Sequence, residues 1–152
     1  MASAVASEYI GSRIKLVGYD HDPGATSAKL AGPDGGTTIR YVDMKEAYHF
    51  GVLVLPAIVG GNGITKVEIV ASAATDFSAV TVVKDSGAIQ ADDLDDFVFL
   101  ECNVEEIKQL GATLRYVAAR ITNATSTDED KVVYITMGRH FETTGMTATT
   151  IA

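Results

Sequence analysis

The residues of this 152-residue chain that could do chemistry are three histidines, one cysteine and several runs of carboxylates. Asp20-His21-Asp22 sets three potential metal donors in a row, with His49 and His140 elsewhere. A zinc site needs three or four convergent nitrogen, sulfur or carboxylate ligands. No H-x-x-x-H or H-E-x-x-H spacing provides them, so the triplet reads as a polar loop. Asp92-Asp93-Leu94-Asp95-Asp96 is the better cation candidate, for calcium, because hard cations take clustered oxygens. It lacks the glycine pivot and terminal glutamate of an EF-hand loop and reads as a solvated acidic turn, or as a surface for a basic partner.

Gly60-Gly61-Asn62-Gly63-Ile64-Thr65-Lys66 has glycines and a lysine, as phosphate loops do. A phosphate cradle needs Lys-Ser/Thr after the glycines and then a helix. Here the order differs and a strand pattern follows, so residues 60–63 read as a hairpin turn. Cys102 lies in an apolar run with Phe99 and Leu100, where a free cysteine acts as a small core hydrophobe. No G-x-S-x-G elbow is present. Glu105 and Glu106 are adjacent on a helical turn, so they point apart and suit the helix N-terminus rather than paired acid–base work. Asn123-Ala124-Thr125 fits a glycosylation acceptor, which has no force without a secretion signal. No catalytic, cofactor-binding or metal-ligating residue is therefore assigned, and no cofactor is expected.

The elements that would position these residues are mostly strands. Period-two alternation of apolar residues predicts strands at 37–44, 66–73, 80–84, 96–102, 113–122 and 131–137. Residues 49–59 are nearly continuously apolar and predict a central strand covered on both faces, with Pro56 marking a bulge, an edge or an end. Residues 113–122 and 131–137 predict an antiparallel hairpin across the polar loop 123–130. One helix is expected at 104–110, where Val104, Ile107 and Leu110 recur every three residues, Asn103 caps and Gly111 terminates. Residues 1–36 carry the breakers Gly11, Gly18, Asp22-Pro23-Gly24 and Gly32-Pro33-Asp34-Gly35-Gly36. They predict an extended N-terminal arm with one β-capable piece at 13–17. Residues 138–152 are small, polar and β-branched and predict a C-terminal arm. The fold class expected is mainly β: an antiparallel β-sandwich or jelly-roll-like barrel over 37–137, with one short helix and extended terminal arms.

Composition narrows the function classes. A mass of 16.0 kDa fits one domain, and 47% hydrophobic residues supply a core. No apolar run reaches the roughly 20 residues of a membrane-spanning helix. The N-terminus has no basic segment followed by an apolar one, so no secretory signal is expected. A single cysteine excludes an internal disulfide framework. Net charge is −8, which disfavours nucleic acid and anionic membrane as partners. The charge is uneven: residues 1–84 hold 7 basic and 8 acidic side chains, residues 85–152 hold 5 basic and 12 acidic. The second half suits a basic partner, or serves solubility.

Residues 41–48 (YVDMKEAY), the apolar strand after them, and 66–78 (KVEIVASAATDFS) resemble small structural proteins of tailed bacteriophages. Residues 91–102 (ADDLDDFVFLEC) and 114–122 (LRYVAARIT) are similar to them too. The resemblance spans 41–137 and is to capsid decoration (cement) and other small head proteins. It implies a β-barrel or jelly-roll-like, non-enzymatic virion protein on the capsid exterior, made in the bacterial host cytoplasm. It implies a homo-oligomer, most often a trimer, that clamps neighbouring major capsid subunits. The terminal arms at 1–36 and 138–152 are expected to form much of the contact surface. A tail-tube, tail-terminator or head-completion role is the nearest alternative, with 113–137 as the hairpin a tube subunit needs. A small cupin-like β-barrel enzyme or ligand-binding module is the alternative from another class, and it needs a convergent histidine and carboxylate set.

Overall fold

A computed structural model describes residues 14–32, 38–45, 47–59 and 63–138. In chain order the elements are β1 (Ile14–His21), β2 (Lys29–Leu30), β3 (Val42–Asp43), β4 (Ala47–Ile58), β5 (Ile64–Ser72) and β6 (Thr81–Asp85). They continue with β7 (Val98–Asn103), α1 (Val104–Leu110), β8 (Tyr116–Asn123) and β9 (Glu129–Gly138). One sheet has the order β1-β9-β4-β7 and the other β2-β8-β5-β6, with β3 also on β8. All the pairings are antiparallel. Counted as one interrupted strand, β2 and β3 complete two four-stranded sheets with jelly-roll strand order. The expected fold class, a mainly β antiparallel sandwich with one short helix, is the one observed.

Alternation along the strands builds the core. From the first sheet Phe50, Val52, Val54, Val132 and Tyr134 point inward, and from the second Val67, Ile69, Ala71, Val117, Ala119 and Ile121 do. Each large side chain so buried stabilises the fold by roughly 1.5–3 kcal/mol. Phe50 and Tyr134 meet edge to face at 4.8 Å, and Tyr19 meets Tyr134 at 5.1 Å. Tyr134 also ties the sheets together. Its hydroxyl accepts from the Ala119 backbone N–H (2.7 Å) and donates to the Arg40 carbonyl (3.0 Å). Ala119 lies between the β2 and β3 pairings, where its carbonyl accepts from the Ala31 N–H (2.9 Å) but no backbone group takes its N–H. The hydroxyl thus satisfies a buried backbone donor that would otherwise cost about 1–3 kcal/mol.

Helix α1 forms as its sequence dictates. The Asn103 side chain accepts from the Glu105 and Glu106 N–H groups, and Glu106 reaches back to the Asn103 N–H. The Gly111 N–H closes the other end on the Ile107 carbonyl. Only Ile107 is fully buried. Pro56 sits beside a register shift between β4 and β9, so of the bulge, edge or end expected of it the bulge is observed.

Three sequence expectations are corrected. Residues 1–36 are not an arm throughout: from Ile14 to His21 the chain is an edge strand paired along its length with β9, and Lys29–Leu30 pairs with β8. Val17, Tyr19 and His21 share the inward face, a pattern that Gly18 and the flanking aspartates obscure. Residues 1–13 and 139–152, the remainder of both expected arms, lie outside the described residues. The strand expected at 37–44 is short, Val42–Asp43 only. Neither expected hairpin exists. β4 and β5 lie in different sheets, and so do β8 and β9, so Gly63 and the 124–128 loop lie on arches across the sandwich. Alternation tells which face of a strand is buried, not which strand lies beside it. Residues 60–62 of the first arch lie outside the described residues.

Candidate functional site

The side chains that sequence grouped together point in different directions. Asp20 faces outward and pairs with Lys131. His21 faces the interior with no exposed surface, and its Nδ1 lies against the backbone of Gly32, 3.2 Å from the N–H and 3.1 Å from the carbonyl oxygen. Asp22 caps its own turn by accepting from the Gly24 N–H. His49 lies on an outer sheet surface, and His140 falls outside the described residues. Among the described residues no three His, Cys, Asp or Glu side chains converge as metal ligands do. Within the acidic turn, Asp96 accepts from the Asp92 and Asp93 N–H groups, which is ordinary turn geometry. Cys102 is buried on the inner face of β7, and burial pushes its thiol up to about 12. It is not a nucleophile at neutral pH. Glu106 serves the helix cap and pairs with Lys84. Asn123 is buried, so it is no glycosylation acceptor.

One polar cluster is interior, at the end of the sandwich where β1, β8 and β9 meet. Asp130 stands opposite His21 in the β1–β9 register, and the Asn123 amide donates to it at 2.9 Å. Burial pushes the Asp130 carboxyl up to about 7, and neighbouring Asp128 adds to this, against the lowering effect of Asn123. Burial lowers the His21 pKa. His21 Nε2 and Asn123 Oδ1 are buried without a hydrogen-bond partner. The Gly63 carbonyl accepts from the Ala124 N–H nearby. Gly63 has φ +60°, and a Cβ there would fall 2.0 Å from the Ala91 carbonyl oxygen, so only glycine fits. The cluster is enclosed, and its effect is on stability.

The two outer sheet surfaces differ sharply. On the β2-β8-β5-β6 sheet, Lys66 and Arg120 bracket Glu68 at 3.0 and 2.6 Å, and Lys66 also meets Asp85 at 2.8 Å. Burial would raise the Glu68 carboxyl, but Arg120 and Lys66 together hold it below its usual range. Beside this network, Val70 and Ala118 are covered by Phe77, Ile39, Leu30 and Tyr116. Val82, paired with Val70 on β6, stays exposed (38%), but elsewhere that sheet covers the centre of its own outer surface.

The β1-β9-β4-β7 sheet does not. Strand register places Leu16, Ile135, Gly51 and Glu101 in one row across it, and Gly18, Val133, Leu53 and Phe99 in the next. Ile14, Met137 and His49 form a third row. Leu16 (44% exposed), Phe99 (46%) and Met137 (40%) remain open to solvent. Gly51 leaves room for the Phe99 ring, which would lie 3.2 Å from a Cβ at that position. His49, Phe99, Glu101, Ile135 and Met137 frame a shallow depression of about 270 Å³. With strands about 4.8 Å apart and same-face residues about 6.8 Å apart, these rows cover roughly 400 Å². That area includes His49 and Glu101; it is about the size of the largest apolar patch on a typical monomer, which is often functional. Polar groups border the surface, with the Asp20–Lys131 pair at one end and His49 and Glu101 toward the other. The continuous apolar run at 49–59 predicts cover on both faces. Within the described residues, the sandwich covers only one. The same signal stands in β9, where Val132 and Tyr134 point inward while Val133, Ile135 and Met137 point outward.

A second feature lies at the open edge of the sandwich, where β1 faces the stretch from Arg40 to Asp43. There a cavity of about 740 Å³ is lined by Tyr19, Tyr41, Tyr134 and Val17, with Lys15 and Arg40 among its walls. Asp43 also lines it, but Arg115 holds that carboxylate through two nitrogens, one at 2.7 Å, and keeps its pKa low.

The chain matches no family model. No curated protein matches it either. Among solved structures it is similar to the K2 cleaved adhesin domain of Lys-gingipain. That similarity has a TM-score of 0.42 and 13% sequence identity, over 79% of this chain and 90% of that domain.

Proposed function

We propose that this chain is a non-enzymatic structural protein of a phage virion. It docks on the outside of the capsid through the outer surface of its β1-β9-β4-β7 sheet and clamps neighbouring major capsid subunits. The observation that carries this reading is the mostly apolar, uncovered surface around Leu16, Leu53, Phe99, Val133, Ile135 and Met137, set against an opposite sheet whose centre is covered by Phe77, Ile39, Leu30 and Tyr116. The sequence resemblance of residues 41–137 to decoration proteins supplies the kind of partner. A protein that binds only the assembled shell stabilises it by mass action, and many copies act together. The excess of acid in residues 85–152 suits a shell surface with basic patches.

Two observations disfavour the alternatives. A tail-tube subunit needs residues 113–137 as a hairpin, whereas β8 and β9 belong to different sheets. A cupin-like site needs histidines converging inside the sandwich, whereas His21 points in and His49 points out. The test is cosedimentation of the purified protein with empty shells assembled from the major capsid protein of the same phage. Saturable binding and a higher disruption temperature of the shell are expected. Free protein in the supernatant at every ratio would reject the docking role.

A further inference from the structure

We propose that copies of this chain join head to tail, with Leu94 and Phe97 of one copy seated in the cavity at the β1 edge of the next. The seat is the aromatic cavity of about 740 Å³ described above. Among the described residues neither Lys15 nor Arg40, which line it, has an ion-pair partner. It is a site with an apolar floor and, among the described residues, two cations without an ion-pair partner, on a protein whose net charge is −8.

The complementary shape stands elsewhere on the same chain. Leu94 (61% exposed) and Phe97 (67%) are the most exposed large apolar side chains among the described residues. They project from the turn before β7, where the Asp96 N–H donates to the Asp93 carbonyl at 3.0 Å and the Asp96 carboxylate holds the Asp92 and Asp93 N–H groups. Four aspartates, at 92, 93, 95 and 96, surround the two apolar residues. An apolar tip ringed by acid fits an apolar cavity flanked by Lys15 and Arg40, both in polarity and in sign of charge.

Position makes the occupant a second copy. β1 and β7 are the two ends of the order β1-β9-β4-β7, so tip and cavity sit at opposite edges of one sheet. A copy cannot fill its own cavity with its own tip. Because the two surfaces differ, the join is heterologous, and repetition gives a ring or a filament according to the rotation it imposes. The join uses neither Leu16, Val133 nor Met137. Gly18 borders both surfaces and the tip's aspartates belong to the acidic half, but the join is read without any shell, so either can fail alone.

The experiment uses two variants of the full chain. Lys15→Glu with Arg40→Glu spoils the cavity, and Leu94→Glu with Phe97→Glu spoils the tip. All four positions are surface-accessible, and circular dichroism confirms that each variant folds. By light scattering on a sizing column, the unaltered protein is expected at a multiple of 16.0 kDa above one, and each variant at 16.0 kDa. An equimolar mixture of the two variants is expected at twice 16.0 kDa, because it retains one intact tip and one intact cavity. An unaltered protein that is monomeric, variants that keep its mass, or a mixture that stays monomeric would each overturn the proposal. A tip that binds only the capsid gives the first of these, or the second where another surface joins the copies.

Discussion

Val133→Glu is expected to lower shell binding by at least about 100-fold while leaving the melting temperature of the free protein nearly unchanged. Val133 lies mid-sheet in the row Gly18, Val133, Leu53 and Phe99, on the outer surface. In the free protein Val133 is half-buried beside Gly18, so the longer Glu side chain reaches solvent, and strand preference changes stability by about 1 kcal/mol. In the docked state it is trapped between apolar surfaces without a partner. Desolvating a charge there costs several kcal/mol, and each 1.4 kcal/mol is about tenfold in affinity. Thr122→Glu puts the same charge on the outer surface of the other sheet, beside Lys66, and is expected to leave binding unaltered. Cosedimentation with shells at a series of protein concentrations reads both. Equal losses from the two variants would mean that net charge, and not this surface, governs binding.

The second large effect concerns pH. Asp130 is almost wholly buried, and its carboxyl is raised from 3.8 to about 7. Below the lower value the group is protonated in both folded and unfolded chains and costs nothing. Between the two values the unfolded chain is ionised while the folded chain keeps its proton. There each rise of one pH unit removes about 1.4 kcal/mol of stability. Above the folded value the loss is complete, at about 3–5 kcal/mol. Asp130→Asn removes the ionisation and keeps an oxygen to accept from the Asn123 amide. The stability gap between this variant and the unaltered protein should be small near pH 4, widen up to about pH 7, and then stay level. Taking the difference removes the opposite contribution of Asp43, Glu68 and Asp85, whose lowered pKa values add stability that is lost on acidification. Thermal melts of both proteins across that range check this, and a gap that does not change with pH would contradict it.

How much of this was legible in the sequence depended on how local each signal is. Helix α1 was readable to the residue because Asn103, Glu106 and Gly111 act within one turn of it. The strands from Ile64 to Gly138 were readable because alternation records burial directly. Strand β1 was readable only in its first half, at 13–17; Gly18 and Asp20-His21-Asp22 look like loop, and only pairing with β9 buries Val17, Tyr19 and His21 on one side. Pairing itself was invisible. An arch between sheets and a hairpin within one need similar loops, and both expected hairpins proved to be arches. The chemical candidates failed for the same reason, because neighbours in a strand point to opposite faces. Asp20 and His21 are adjacent in sequence and on opposite sides of the sheet. The outer surface was half legible. Residues 49–59 and 131–137 are apolar in both phases of the alternation, which requires cover on both sides, but the chain's own elements cover one.

The measurement that tests the docking surface most directly is hydroxyl-radical footprinting of the free and shell-bound protein. Leu16, Phe99 and Met137 are exposed and oxidisable in the free chain, as is Tyr41 at the β1–β3 edge. The account predicts that shell binding protects Leu16, Phe99 and Met137 together. Tyr116, on the other sheet, keeps its reactivity. Unchanged oxidation of those three in protein that sediments with the shell would contradict it, and would move the contact to another surface of the sandwich.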